Sequence, residues 1–125
     1  MKWIKAVRLE GYKVQNTTSN HLWLSDEPES HGGTDTGPTP SEIMLSALAS
    51  CKIITCTMYA QRKEWELEGV EIELRIPDDE PHVIEKKIHF LGDLDSAQRE
   101  RLLMISGRCP VVKFLDPAII FRIID

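Results

Sequence analysis

From Thr39 to about Lys63 the chain reads as one long helix, and that helix constrains everything around it. Thr39-Pro40-Ser41-Glu42 fits a capping box, with Thr39 at the N-cap, Pro40 at the first helical position and Glu42 three residues on. Between Ile43 and Met58 the side chains are apolar on most of the circumference, so the helix is central rather than peripheral. The stretch Ile43 to Ala60 carries Lys52 and several Ser and Thr, which makes it too polar for a membrane span and reads it as a buried helix. Its end becomes amphipathic and charged (Gln61, Arg62, Lys63, Glu64), and Gly69 closes the region.

The segments on either side supply strands. Residues 3–14 alternate loosely and His21-Leu22-Trp23-Leu24 follows a polar stretch, giving an N-terminal strand or two and another strand near 21–25. Residues 26–38 are loop, with Pro28, Gly32, Gly33, Gly37 and Pro38 among acidic and small polar residues. Val70 to Ile76 alternates cleanly as a half-buried strand, Pro77 to Pro81 is a turn, and residues 82–91 form a second strand that pairs with it as a hairpin. Asp95 with Gln98 three residues on starts another helix, which ends at Gly107. Cys109-Pro110 opens a short helical piece to about Leu115, and Ala118 to Ile124 reads as a terminal strand. The order is β-β-α-β-β-α-β, an α+β class. Five strands and two helices leave little to wrap a helix that is apolar nearly all round, and a partner subunit is the simplest cover.

Composition then bounds the function. With 125 residues the chain is expected to be one domain, 1–125, large enough for a core without metal or disulfide staples. The formal net charge of −5 and the lack of a Lys/Arg cluster argue against nucleic acid or an anionic membrane surface as the main partner. Met1-Lys2-Trp3-Ile4-Lys5 returns to charge too soon for a signal-peptide core. Three cysteines do not suggest a secreted disulfide framework, so a reducing, cytoplasmic compartment is expected, with any cysteine chemistry catalytic rather than structural.

Cys51 lies mid-helix, with Met44, Ala47, Leu48, Ile54, Thr55 and Met58 on its face. That environment is apolar and uncharged. Its bland reading is a small buried hydrophobe, and reactivity would need an Arg, Lys or His delivered from elsewhere. Cys109 follows Arg108 and precedes Pro110, so it is placed as an N-cap; the helix start and the neighbouring cation both favour thiolate there. By local setting alone Cys109 is the more reactive thiol. Cys56 sits about 140° round the helix from Cys51 and reads as core. The four histidines are scattered, with no ligand spacing, so no metal is expected. Glu42 has a sufficient structural reason in the capping box, and Arg8 reads as a solvated strand residue.

Gly37-Pro38-Thr39-Pro40-Ser41-Glu42, then Leu45-Ser46-Ala47-Leu48-Ala49-Ser50-Cys51, then Arg108-Cys109-Pro110-Val111-Val112-Lys113 together resemble the OsmC/Ohr superfamily, the osmotically inducible and organic hydroperoxide resistance proteins. The resemblance spans roughly residues 20–125. It implies an intertwined α+β homodimer whose long central helices pack between two sheets. It also implies a thiol peroxidase without a cofactor, acting on organic hydroperoxides and recycled by an external dithiol. Carried over, Cys51 is the peroxidatic thiol, buried in an apolar pocket, and Cys109 the resolving thiol, accessible at a helix start. The family pairs a carboxylate ten residues before the first Cys with an N-terminal Arg. Here Ser41 stands ten before Cys51, Glu42 stands nine before, and Arg8 and Lys13 are the nearest cations, so the candidate site is Cys51, Cys109, Glu42 and Arg8. The competing reading is a non-catalytic small-molecule binding protein that uses the same interface pocket.

Overall fold

Thr39 and Glu42 cap one another as the sequence requires: Thr39 Oγ1 accepts from the Glu42 N–H at 3.2 Å and the Glu42 carboxylate accepts from the Thr39 N–H at 3.0 Å. From that cap helix α1 runs Pro40–Lys63. The protein is described from a computed structural model, over residues 1–115 and Arg122. The expected terminal strand at 118–124 lies outside the described residues. Two compact units emerge, one of residues 1–44 and one from Leu45 onward, and their boundary falls within α1.

The first unit holds three short strands, β1 (Lys5–Arg8), β2 (Val14–Thr17) and β3 (Leu22–Ser25), in an antiparallel sheet of order β1-β2-β3. The element order therefore begins with three strands, where β-β-α was expected. The loose alternation of residues 3–14 breaks at a turn closed by Lys13 N–H on Glu10 O (2.9 Å) and Leu9 N–H on Lys13 O (2.9 Å). The loop after β3 is built around Asp26, only 2% exposed. Its carboxylate accepts from the Glu27 N–H, from both the N–H and hydroxyl of Thr34, and from both the N–H and hydroxyl of Thr36. Two glycines permit this close winding: a Cβ at Gly33 would lie 2.0 Å from Glu27 O, and one at Gly37 would lie 2.3 Å from Leu24 O.

In the second unit, β4 (Glu66–Arg75) and β5 (Glu85–Asp93) form an antiparallel hairpin with Ile72 opposite Ile88. β4 starts earlier than the sequence suggests, and Gly69 lies inside it, next to a register shift between Leu67 and Gly69. What ends α1 is instead Glu64, in the left-handed conformation at φ 57°, with the Trp65 N–H bonded back to Ala60 O at 2.9 Å. Helix α2 (Ser96–Ser106) has the capping box expected of Asp95 and Gln98. Arg99 ties it to the hairpin by donating to the carbonyls of Phe90, Gly92 and Leu94. Helix α3 (Pro110–Phe114) follows with Cys109 at its N-cap.

The core of this unit is Cys56, Ala60, Phe90, Leu102 and Ile105, with Tyr59, Trp65, Val70 and Ile88 packed against it. α1 contributes to the interior along one row, Leu48, Lys52, Cys56 and Ala60, spaced at one helical turn. Its remaining apolar side chains are less well covered, and Ile54 and Met58 are each 57% exposed. By length and composition α1 is long and apolar enough to cross a membrane, with a mean hydropathy of 1.5 over its most apolar window, so Lys52 does not make it too polar by that measure. The row at Lys52, Cys56 and Ala60 packs into protein, as in a core helix.

Candidate functional site

Three free thiols lie in the second unit, and burial orders them differently from the sequence. Cys51 is half-buried, whereas Cys56 and Cys109 are fully buried. The expectation that a helix-start position leaves Cys109 accessible is corrected: its side chain makes no capping hydrogen bond and is turned into the protein. Nor is Cys51 the deeply buried thiol of the pair. It falls one position short of the inward row, and that row carries Lys52 and Cys56 instead.

Lys52 is the residue the sequence reading passed over. It is 5% exposed, and its Nζ donates to the carbonyl of Ser106 at 2.9 Å. Ser106 is the last residue of α2, where unsatisfied carbonyls and the helix dipole favour a cation. One turn along α1, the Cys56 thiol donates to Leu102 O at 3.4 Å, so Lys52 and Cys56 match two acceptors one turn apart on α2. Burial pushes the Cys56 thiol up to about 11; the Lys52 ammonium opposes that rise, and the charge of Cys109 adds to it. A buried cation therefore stands one turn from Cys56 and acts on that thiol. The signal for it was Lys52's own place in the Leu48-Lys52-Cys56-Ala60 row.

An open, largely apolar groove of about 540 Å³ is lined by Thr55, Met58, Gln61, Arg62, Arg108 and Pro110. Arg108 and Pro110 flank Cys109 in sequence, and Thr55 stands one turn after Cys51 on the same side of α1. The groove is thus lined by the sequence neighbours of Cys109 and by a residue one turn from Cys51, and by neither cysteine itself. Arg108 itself is turned to the Met104 sulfur at 3.8 Å.

Glu42 and Arg8 belong to the first unit. The Glu42 carboxylate is held below its ordinary range by the Thr39 N–H first and the Thr39 hydroxyl second. Arg8 donates from Nε to Gly11 O at 2.9 Å, and with Tyr12, Val14, Ser25, Asp26 and Pro40 it lines an open cavity of about 570 Å³. Glu42 and Arg8 thus each have a local structural partner. Among the described residues no group of three or more His, Cys, Asp or Glu side chains is placed to hold a metal.

Comparison with known proteins places the fold. A family model described as OsmC-like protein matches residues 33–123, the span that holds all three thiols and Lys52. No curated protein matches the chain. Among solved structures, a Psychrobacter arcticus protein described as osmotic stress induced and of detoxification response aligns with a TM-score of 0.79 at 21% identity, covering 94% of this chain and 90% of that one. An OsmC-like protein of Mycoplasma pneumoniae aligns with a TM-score of 0.68 at 21% identity, covering 92% and 86%. The organic hydroperoxide resistance protein OsmC of Legionella pneumophila aligns with a TM-score of 0.64 at 18% identity, covering 92% and 88%. The two sheets and the helices match that fold, and the chain belongs to the OsmC-like protein family.

Proposed function

We propose that this protein is a homodimeric thiol peroxidase that reduces organic hydroperoxides in a reducing, cytoplasmic setting. The observation that carries the reading is the apolar groove bordered by the residues flanking Cys109 and by Thr55, one turn from Cys51. An alkyl hydroperoxide has an apolar tail and one reactive O–O bond, and a groove of this character takes the tail. In the proposed cycle the Cys51 thiolate attacks the distal oxygen and the O–O bond breaks. The leaving alkoxide takes a proton to become an alcohol, and Cys51 is left as sulfenic acid. Cys109 then attacks that sulfur, an S–S bond forms and water departs. An external dithiol returns both cysteines to thiols by two exchanges. The family and its structural neighbours, one of them named an organic hydroperoxide resistance protein, support the reading.

One observation favours a second reading, a binding protein without turnover. Ser41 stands ten residues before Cys51, where the resemblance implies a carboxylate, Glu42 is engaged by Thr39 and Arg8 by Gly11. Both readings meet the same experiment. Reduced protein is mixed with cumene hydroperoxide and free thiols are counted, alongside Cys51→Ser and Cys109→Ser. Loss of two thiols in the wild type, with a trapped sulfenic acid in Cys109→Ser, is the expected result. An unreactive Cys51 in a folded protein that still binds the hydroperoxide overturns the peroxidase reading in favour of the binder.

A further inference from the structure

We propose that the groove along α1 binds a single-chain amphiphile headed by a phosphate monoester, its chain on the apolar lining and its head between Arg62 and Arg108. In sequence the cations of this region are scattered, and the fold gathers them. Arg62 and Lys63 come from the last turn of α1, Arg101 from α2 and Arg108 from just past the end of α2. They meet on Tyr59 and Met104. Arg101 Cζ lies 5.6 Å from the centre of the Tyr59 ring, Lys63 Nζ 5.8 Å and Arg62 Cζ 6.0 Å, and Arg101 Nε donates to the Tyr59 hydroxyl at 2.9 Å. Arg101 and Arg108 both turn to the Met104 sulfur, at 4.0 Å and 3.8 Å. All four cations are exposed.

This patch is positive in a chain whose formal net charge is −5. Among the described residues the ion pairs are Lys13 with Glu10 and Arg75 with Glu85, so none of the four cations has a carboxylate partner there. Glu64 and Glu100 stand beside Lys63 and Arg101 in sequence and pair with neither. The carbonyl ends of α1 and α2 and the face of Tyr59 answer part of the charge. The Tyr59 phenol registers the field: the Arg101 hydrogen bond first, then the charges of Arg101, Lys63 and Arg62, hold it below its ordinary value against the opposing effect of burial. Two of the four, Arg62 and Arg108, line the groove together with Met58 and Pro110. The occupant that fits has an apolar body and an anionic end. A phosphate monoester carries about 1.5 to 2 negative charges at neutral pH and three acceptor oxygens, enough for two guanidinium forks, whereas a carboxylate offers one charge and two oxygens. A polyanion such as nucleic acid would instead meet the net negative charge of the rest of the chain. The groove is the one used in the peroxidase reading, and the inference rests on that reading only in so far as the bound chain would carry the O–O bond.

The test measures binding by isothermal titration calorimetry at neutral pH, with no peroxide present and every amphiphile below its micelle concentration. Decyl phosphate is expected to bind at least ~tenfold tighter than decanoate, decanol or inorganic phosphate. Arg62→Gln with Arg108→Gln should weaken decyl phosphate at least ~tenfold and leave decanol unchanged. Arg75→Gln, which removes the guanidinium paired with Glu85 on the hairpin, should change neither. Decanoate or inorganic phosphate binding as tightly as decyl phosphate overturns the proposal, and so does a double variant that keeps the wild-type affinity. If the double variant does not fold, each single variant is expected to lose at least ~threefold, and unchanged affinity in both overturns the proposal. A groove that takes none of the four probes is covered by the second copy instead, which overturns it as well. A protein that binds decyl phosphate through the two arginines but keeps its thiols in cumene hydroperoxide refutes the peroxidase and keeps this site. One that loses its thiols without preferring the phosphate head does the reverse.

Discussion

Asp26 shows how a single side chain can organise a loop and carry a pH dependence with it. Five hydrogen bonds from Glu27, Thr34 and Thr36 converge on its buried carboxylate. The Thr34 hydroxyl foremost holds it well below the usual carboxylate range; burial opposes this, and the Glu27 N–H and Thr36 add to it. All of these donors prefer the ionised form, so the folded chain binds this proton more weakly than the unfolded chain does. The stability so gained is complete above the unfolded Asp value of about 3.9 and is lost as the pH falls from there toward the folded value. Melting temperature should therefore drop on acidification below ~pH 4 in the wild type. Asp26→Asn should melt at least ~5 °C lower at neutral pH and show a flatter acid limb, because an amide cannot accept from so many donors at once. Equal melting curves at neutral pH would show that the loop does not depend on this carboxylate. Lys52 is the other residue whose meaning is tertiary. Its type and position are plain in the sequence, but only the arrival of the last carbonyl of α2 makes burial of its ammonium tolerable.

The helices were legible because their end signals are local. Thr39 with Glu42, and Asp95 with Gln98, form the two boxes their spacing predicts. The C-terminus of α1 was less legible, since the left-handed residue that ends it is Glu64 rather than a glycine. A side chain with a Cβ in that conformation costs about 1–2 kcal/mol. Glu64→Gly should recover about 0.5–1 kcal/mol of it, net of the added freedom of the unfolded chain. Urea unfolding should show a higher midpoint with an unchanged slope; a lower midpoint would mean that the Glu64 side chain stabilises more than its backbone costs. The strands were read less well at their edges. Residues 3–14 split into parts of two strands, and β4 begins before Gly69, because a bulge lets a glycine sit where alternation slips. The depths of the thiols were the least legible. Cys51 is one residue off the row that α2 and the hairpin cover, and periodicity alone does not say which row that is.

At the scale of the whole molecule the long helix poses the question from which the sequence reading began, that of its cover. The row Leu48-Lys52-Cys56-Ala60 is buried, while Ile54 and Met58 on another side stand 57% exposed and Met44 stands 39% exposed. Burying an aliphatic side chain of this size is worth about 1.5–3 kcal/mol, so several left open on one helix are a substantial reason to associate. A second copy of the chain offers the same face, and two-fold packing of one α1 on another would cover both at once. It would also close the outer side of the groove, since Met58 and Thr55 belong to its lining. The expected mass of the reduced protein in sedimentation equilibrium is that of a dimer. Ile54→Glu with Met58→Glu should raise the dissociation constant by at least ~hundredfold, since two carboxylates per chain would have to enter an apolar contact. The circular dichroism of the variant should still report a helical fold, because neither side chain belongs to the core around Leu102 and Phe90. A wild type that sediments as a monomer at micromolar concentration, or a double variant that stays dimeric, would mean that this face of α1 is not where two chains meet. Hydroperoxide turnover adds an independent reading. If the groove needs the second chain for closure, thiol loss in a monomeric Ile54→Glu variant, whose groove lining is intact, should slow while alkylation of Cys109 under denaturing conditions remains complete. Unchanged turnover in a proven monomer would make each chain a finished site by itself.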